Sequence, residues 1–282
     1  MAKKVILLAV VLLGMASVLF AEDNIAPPGE VKGVFDITYA SKYIWRGFNI
    51  YGSHGVIQPS IDLDWFGSGF GTKLKVDRAV GVGFRNVEQG SHGGERWDYT
   101  LYYGGKMGAE SDTLASMYRV SYVYYNNSNE DDEDFDLQEL NCALSWPNLT
   151  GVKGLVPTYI LVKLWPAYSG SLVGSHSPAG GTASGFAHIF MLDYGMAIPG
   201  LMPETPQQIL NLHSEVIYND GAGPGGQNVD HDWSNAVIGV TTDFETCKNS
   251  VLTPGLFYQI SMDSSVNDKD ELWCSLSWRY KF

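Results

Sequence analysis

The stretch Leu272-Trp273-Cys274-Ser275-Leu276-Ser277-Trp278-Arg279-Tyr280-Lys281-Phe282 decides the fold. Its even-numbered positions are apolar or aromatic, and its odd-numbered positions are mostly polar. A period of two sends the two sets to opposite faces of a strand. In a membrane barrel the apolar set meets lipid and the polar set meets the lumen. The strand ends on an aromatic residue behind two others, so Leu276, Trp278, Tyr280 and Phe282 are expected to form the signal that barrel-assembly machinery reads.

The alternation recurs upstream. Phe35, Ile37, Tyr39, Tyr43 and Trp45 are expected to face lipid, with Asp36, Thr38, Lys42 and Arg46 inward. Ile57, Pro59, Ile61, Leu63 and Trp65 then oppose Gln58, Ser60, Asp62 and Asp64. Further strands are predicted near Phe70–Phe84, Arg96–Gly105, Leu114–Tyr125, Leu137–Trp146, Leu155–Trp165, Phe186–Met196, Leu210–Tyr218, Asn235–Phe244 and Leu252–Met262. With the terminal strand the count is about twelve. In the third of them Arg78 falls on the lipid face, which calls for a bulge, a register break or a position beyond the bilayer.

Connections alternate as a barrel with both ends in the periplasm requires. The expected outer loops are Phe48–Gly55, Asn86–Gly94, Asn126–Asp136, Pro166–Gly185, Asn219–Asp232 and Asp263–Asp270. The inner turns include Gly67-Ser68-Gly69 and Glu245–Asn249, with Pro199–Gln208 longer than ideal. The expected architecture is all-β: a closed antiparallel transmembrane β-barrel.

Met1-Ala2-Lys3-Lys4, the apolar run Val5–Phe20 and Ala21-Glu22-Asp23 have the layout of an export signal, so residues 1–21 are expected to be cleaved, with Ala16 as an alternative end point. Residues 22–32 follow as a periplasmic segment and 33–282 as the barrel. Beyond residue 21 no stretch approaches the roughly 20 apolar residues of a transmembrane helix. With 32 Gly, 16 Tyr, 12 Phe and 8 Trp, the composition is rich in glycine and aromatics without helix-forming apolar clusters. The net charge of −13 becomes −15 once Lys3 and Lys4 are removed, which argues against a nucleic-acid partner. Cys142, Cys247 and Cys274 show no metal-site spacing and no even disulfide set. No metal or other cofactor is expected.

The stretch Tyr39-Ala40-Ser41-Lys42-Tyr43-Ile44-Trp45-Arg46-Gly47, leading to Pro59, Ile61 and Leu63, resembles the S-x-Y-x-x-R-G opening of the TorF-type porins. Trp97-Asp98-Tyr99-Thr100-Leu101-Tyr102-Tyr103-Gly104 and Tyr122-Val123-Tyr124-Tyr125-Asn126 are similar to that family's aspartate-containing strand and its Y-x-Y-rich strand, and Glu139 sits where a family glutamate would follow the outer loop. The resemblance spans most of the mature chain and implies an outer-membrane porin. This sequence departs from the pattern in the glycine-rich loop Pro166–Gly185 and in the acidic loop after Tyr125.

The expected pore-lining residues are Asp36, Lys42, Arg46, Asp62, Asp64, Arg96, Asp98, Arg119, Glu139, Lys163, Asp193, Glu215, Arg279 and Lys281, with Lys73, Lys75, Asp77 and Asp243 also inward. Acids and bases balance. Such a lining either surrounds a wet pore whose transverse field orients polar solutes or closes it with salt-bridge ladders. The acidic run Asn129–Asp136 lacks EF-hand spacing and reads as a solvated loop or an electrostatic collar. Ser175-His176-Ser177, His213-Ser214-Glu215 and Asp230-His231-Asp232 are the nearest fragments to a catalytic set. Adjacent strand residues point to opposite faces, so His213 is poorly placed to activate Ser214, and no enzyme is expected. The expectation is a passive channel for small polar solutes or ions in the bacterial outer membrane, with outer-membrane lipid, lipopolysaccharide and the assembly machinery as partners. The alternative is a non-conducting structural or surface-interaction barrel.

Overall fold

The computed structural model describes residues 29–81, 94–127, 136–167, 184–201, 206–224 and 229–282. The proposed export signal, the acidic run 129–135 and the Ser175-His176-Ser177 fragment lie outside the described residues.

The chain forms β1 (Lys32–Ala40), a miniature hairpin of β2 (Ile44–Trp45) and β3 (Phe48–Asn49), then β4 (Val56–Asp64), β5 (Phe70–Ala79), β6 (Glu95–Met107), β7 (Ser116–Asn126) and β8 (Leu137–Ser145). It continues as β9 (Leu155–Pro166), β10 (Gly185–Pro199), β11 (Gln207–Asp220), β12 (His231–Thr242) with its short extension β13 (Phe244–Cys247), β14 (Ser250–Ser261) and β15 (Glu271–Lys281). Each wall strand pairs antiparallel with its sequence neighbour, and β1 also pairs with β15. Counting β12 and β13 as one strand, the described residues form twelve strands that close into a barrel. Among the described residues closure leaves no unpaired wall strand, as a lipid environment demands of backbone amides and carbonyls.

The pairing sets both faces. Phe35, Ile37 and Tyr39 stand opposite Tyr280, Trp278 and Leu276, while Asp36 stands opposite Arg279. The first set lies on the outer surface together with Leu272, Ile238 and Leu256, at 57%, 55% and 50% exposure. So large an apolar belt would be an aggregation hazard in water and is the expected surface in hydrocarbon. Short turns gather at the end that carries Lys32 and Lys281, and the longer connections lie at the other, here called the outer end.

Arg78 needs no bulge. It keeps the regular β5–β6 register opposite Glu95 at the outer tip of both strands, and its Nη1 meets Glu95 Oε2 at 2.9 Å. Neutralising the charge locally is what allows it a place on the outer surface. The strand itself ends at Ala79, short of the predicted Phe84.

Candidate functional site: a lumen narrowed by an inward-folded loop

The first strand was expected to run through Trp45 with Tyr43 and Trp45 toward lipid. The ladder instead stops at Ala40, although the Ser41 amide still donates to the Cys274 carbonyl at 2.9 Å. Residues 41–55 then turn into the barrel. Tyr43, Phe48 and Tyr51 become buried in the outer half of the lumen. Trp45 packs against three buried apolar clusters built from the barrel wall, the loop itself and Ala222, Val229 and Val266 of two other outer connections. The reason is energetic: Tyr43, Trp45 and Tyr51 gain more by filling the bore against Val56, Ala79, Leu137 and Leu164 than by extending a strand past the wall.

The hairpin tip shows how the sequence encodes this turn. Trp45 pairs with Phe48, and the two residues between them, Arg46 and Gly47, have φ of 51° and 93°. Two successive positive φ values define the tight hairpin turn that matches strand twist. Gly47 is required twice over, because a β-carbon there would stand 2.7 Å from Asn235 Oδ1 and from Val266 Cγ1. Its carbonyl accepts from Gln259 Nε2 at 2.9 Å.

Polar anchors hold the loop to five wall strands. Arg46 Nη2 meets Glu139 Oε1 on β8 at 2.7 Å. Burial opposes the charge on Arg46, but Glu139 outweighs it and drives the guanidinium pKa above its ordinary value. The Tyr43 hydroxyl donates to Asp77 Oδ2 on β5 at 2.8 Å and accepts from Arg96 Nη2 on β6 at 2.7 Å. Desolvation raises the Tyr43 pKa well above the ordinary phenol value, so its proton stays in place. Lys42 pairs with Glu271 on β15, whose other oxygen accepts from Asn49 Nδ2 at 2.8 Å. Gln259 on β14 supplies the fifth strand.

Arg96 is the centre of the arrangement. Its guanidinium meets Asp98 Oδ1 at 2.7 Å and Asp77 Oδ2 at 3.0 Å, and its carbon lies 4.5 Å from the Tyr125 ring centroid and 5.3 Å from that of Trp45. Two carboxylates and an aromatic surround satisfy a planar buried cation in a way a lysine cannot.

Below this level the bore opens into a cavity of about 330 Å³ whose wall includes Val34, Asp36, Gln58, Asp62, Lys73 and Arg279. Arg119 lies over the Tyr102 ring at 3.6 Å, with its Nη2 3.7 Å from Asp62 Oδ2. On the far wall, Val162, Ala187, Ile189 and Ile217 form an apolar lining, and below it His213 Nδ1 meets Asp193 Oδ1 at 2.7 Å. Ser214 points the other way and donates to the Leu192 carbonyl at 3.2 Å.

Of the residues singled out by sequence, Asp36, Asp62, Asp64, Arg96, Asp98, Arg119, Glu139, Asp193, Glu215, Arg279 and Lys281 stand on the lumen face of their strands, as the register shows. Lys42 and Arg46 also lie inside, but on the folded-in loop and not on β1. Lys163 is a correction. Its neighbours are Leu140 and Phe186 on the lipid face, its Nζ lies 4.3 Å from the Phe186 ring centroid, and it donates to Ser184 Oγ at 3.2 Å. The outer half of the lumen is filled by apolar contacts, so Val162 and Leu164, both with 0% exposure, take the inward positions and the charge goes outward.

The loop contacts of Tyr43, Trp45 and Tyr51 escaped sequence reasoning. The available signal was Arg46-Gly47, a turn pair set within an apparent strand, followed by Gly52 and Gly55.

Among solved structures the chain resembles the NanC porin, at 9% identity and a TM-score of 0.55, over 88% of this chain and 100% of that one. It also resembles an outer membrane channel from Pseudomonas putida F1, at 12% identity and a TM-score of 0.50, over 93% of this chain and 98% of that one. The fold is that of an outer-membrane barrel. No protein-family model matches the chain, and no curated protein does.

Proposed function

We propose that this chain is a passive channel for small polar solutes or ions in the bacterial outer membrane, narrowed in its outer half by residues 41–55. The observation that carries the reading is the charged, polar-walled cavity of about 330 Å³ inside a closed barrel. A barrel built only for structure gains nothing from lining a void with ionisable groups, each of which needs solvation or a partner. The two solved barrels of the same fold are named as a porin and a channel, which supports the reading. The likeness to TorF-type porins in Tyr39–Gly47 points the same way. In this proposal residues 1–21 are the export signal, the strand ending at Phe282 is read by assembly machinery, and the apolar belt contacts membrane lipid and lipopolysaccharide.

The test is reconstitution of the folded protein into a planar bilayer. Stepwise current is the expected result, and a demonstrably folded but electrically silent barrel overturns it. One observation favours the second reading, a non-conducting barrel: Arg46, Arg96 and Arg119 are all paired with carboxylates. The same experiment separates the two.

A further inference from the structure

Five charged side chains line the inner cavity: Asp36, Asp62, Lys73, Lys75 and Arg279. Three of them are already engaged. Lys75 meets Asp77 Oδ1 at 2.6 Å, Arg279 meets Asp243 Oδ1 at 2.8 Å, and Asp62 accepts from the Tyr102 hydroxyl at 2.6 Å with Arg119 beyond it. Two remain. Among the described residues Lys73 makes no hydrogen bond and no ion pair within 4 Å, its facing carboxylates being Asp62 and Asp36, and Asp36, which stands opposite Arg279, accepts only from the hydroxyls of Thr38 and Ser277. The cavity thus keeps one ammonium and one carboxylate that face each other along the same wall without direct contact.

Their spacing follows from the register. Asp36 stands opposite Ser60 on β4, and Lys73 stands opposite Asp62 on β4. They are therefore two strands apart and one lumen position offset, with about 12 Å of sheet between their backbones. Gln58, Ser60 and Thr38 lie between and beside them, offering hydroxyl and amide groups. A solute that meets both charges must carry an anionic end for Lys73 and a cationic end for Asp36. A purely anionic solute is repelled by Asp36 and a purely cationic one by Lys73.

From this geometry we propose that the inner cavity is a selectivity site for small zwitterions, solutes of the amino-acid class, with the carboxylate on Lys73 and the ammonium on Asp36. The inference deepens the channel reading above and rests on it.

The test is liposome swelling with the full-length folded protein, using glycine against glycolamide, an uncharged solute of the same size, with potassium chloride current in a planar bilayer as a separate arm. The zwitterion should enter about two- to tenfold faster than its neutral counterpart, the gain expected from one solvent-accessible charge contact at each end. In Lys73→Gln and in Asp36→Asn the ratio should fall to about one. Folding of each variant is checked by heat-modifiable migration on gels. The double variant Asp36→Lys with Lys73→Asp should regain the preference, since a zwitterion can bind in the reverse sense. Equal rates in the unaltered protein, or a preference that survives both single substitutions, overturns the zwitterion site while leaving the channel intact. Absence of both current and solute entry removes the channel, and this site with it.

Discussion

Arg46 crosses the bore to Glu139, with 2.7 Å between Nη2 and Oε1 and only 1% of the glutamate side chain exposed. The Tyr125 hydroxyl, at 2.9 Å, and Asn141 Nδ2, at 3.0 Å, complete the carboxylate's shell. This one contact joins the loop after the first strand to the opposite wall. Together with the anchors on four other strands it makes the loop part of the barrel interior and not a surface feature.

Arg46→Met should strand Glu139 in a low-dielectric setting. Removing one member of a buried pair destabilises by about 3–5 kcal/mol. The wall strands are held by their own ladder, so the loss should appear as release of the loop and a larger single-channel current. Adding Glu139→Leu should recover much of the stability, because no uncompensated charge is left. A double-mutant cycle on urea or heat unfolding measures the coupling. A current unchanged by Arg46→Met would mean that the loop does not limit flow.

Trp45→Ala removes the ring shared by three apolar clusters and leaves Arg96 without one of its aromatic walls. The expected loss is about 3 kcal/mol from burial and cavity formation together. It should be read as a lower temperature for the heat-modifiable gel shift, accompanied by higher conductance. A variant as stable and as narrow as the parent would show that the tryptophan does not hold the loop in the bore.

Lys163→Glu and Arg119→Glu reverse charge on opposite faces. Arg119 lies inside, half-exposed beside Tyr102, so its reversal should move the current's reversal potential in a salt gradient toward cation preference. Lys163 stands on the lipid face near the outer rim, where the depth-dependent cost of charge falls to about 0–1 kcal/mol. Its replacement should leave ion selectivity where it was. A selectivity shift with Lys163→Glu of the same size as that with Arg119→Glu would contradict the register of β9.

The last residue closes the seam between the first and last strands. Phe282 N donates to the Gly33 carbonyl at 3.0 Å, its own carbonyl accepts from Gly33 N at 2.8 Å, and its ring covers the space a Gly33 side chain would fill. Deleting Phe282 removes roughly 1.5–3 kcal/mol of apolar burial at most, less for a half-exposed ring. The expected defect is therefore one of insertion: less heat-modifiable barrel in the outer membrane and more degraded chain in the periplasm. Gly33→Val should resemble it by displacing the ring, whereas Ser277→Ala on the lumen face should assemble as before. Normal assembly without Phe282 would remove the terminal strand from the insertion signal.

Strand number, strand order and the two faces of most strands were legible in the sequence, because alternation is a local consequence of backbone geometry and the lipid solvent enforces it residue by residue. Leu272 to Phe282 needs no knowledge of its neighbours to be read. The same rule misreads Tyr43 and Trp45, which continue the odd-numbered parity of Tyr39 after the ladder has ended. Their direction depends on partners far along the chain: Glu139, 93 positions from Arg46, and Glu271, 222 positions from Asn49. Lys163 fails for a related reason. Its strand is apolar on both sides near the outer end, so parity alone cannot say which side is lipid, and the inward-folded loop decides it by making the lumen greasy there. The pairing of charges is likewise a tertiary property. Strand parity predicts inward acids and bases in equal number, but only the closed register leaves Asp36 and Lys73 without a direct ion pair while their neighbours neutralise one another.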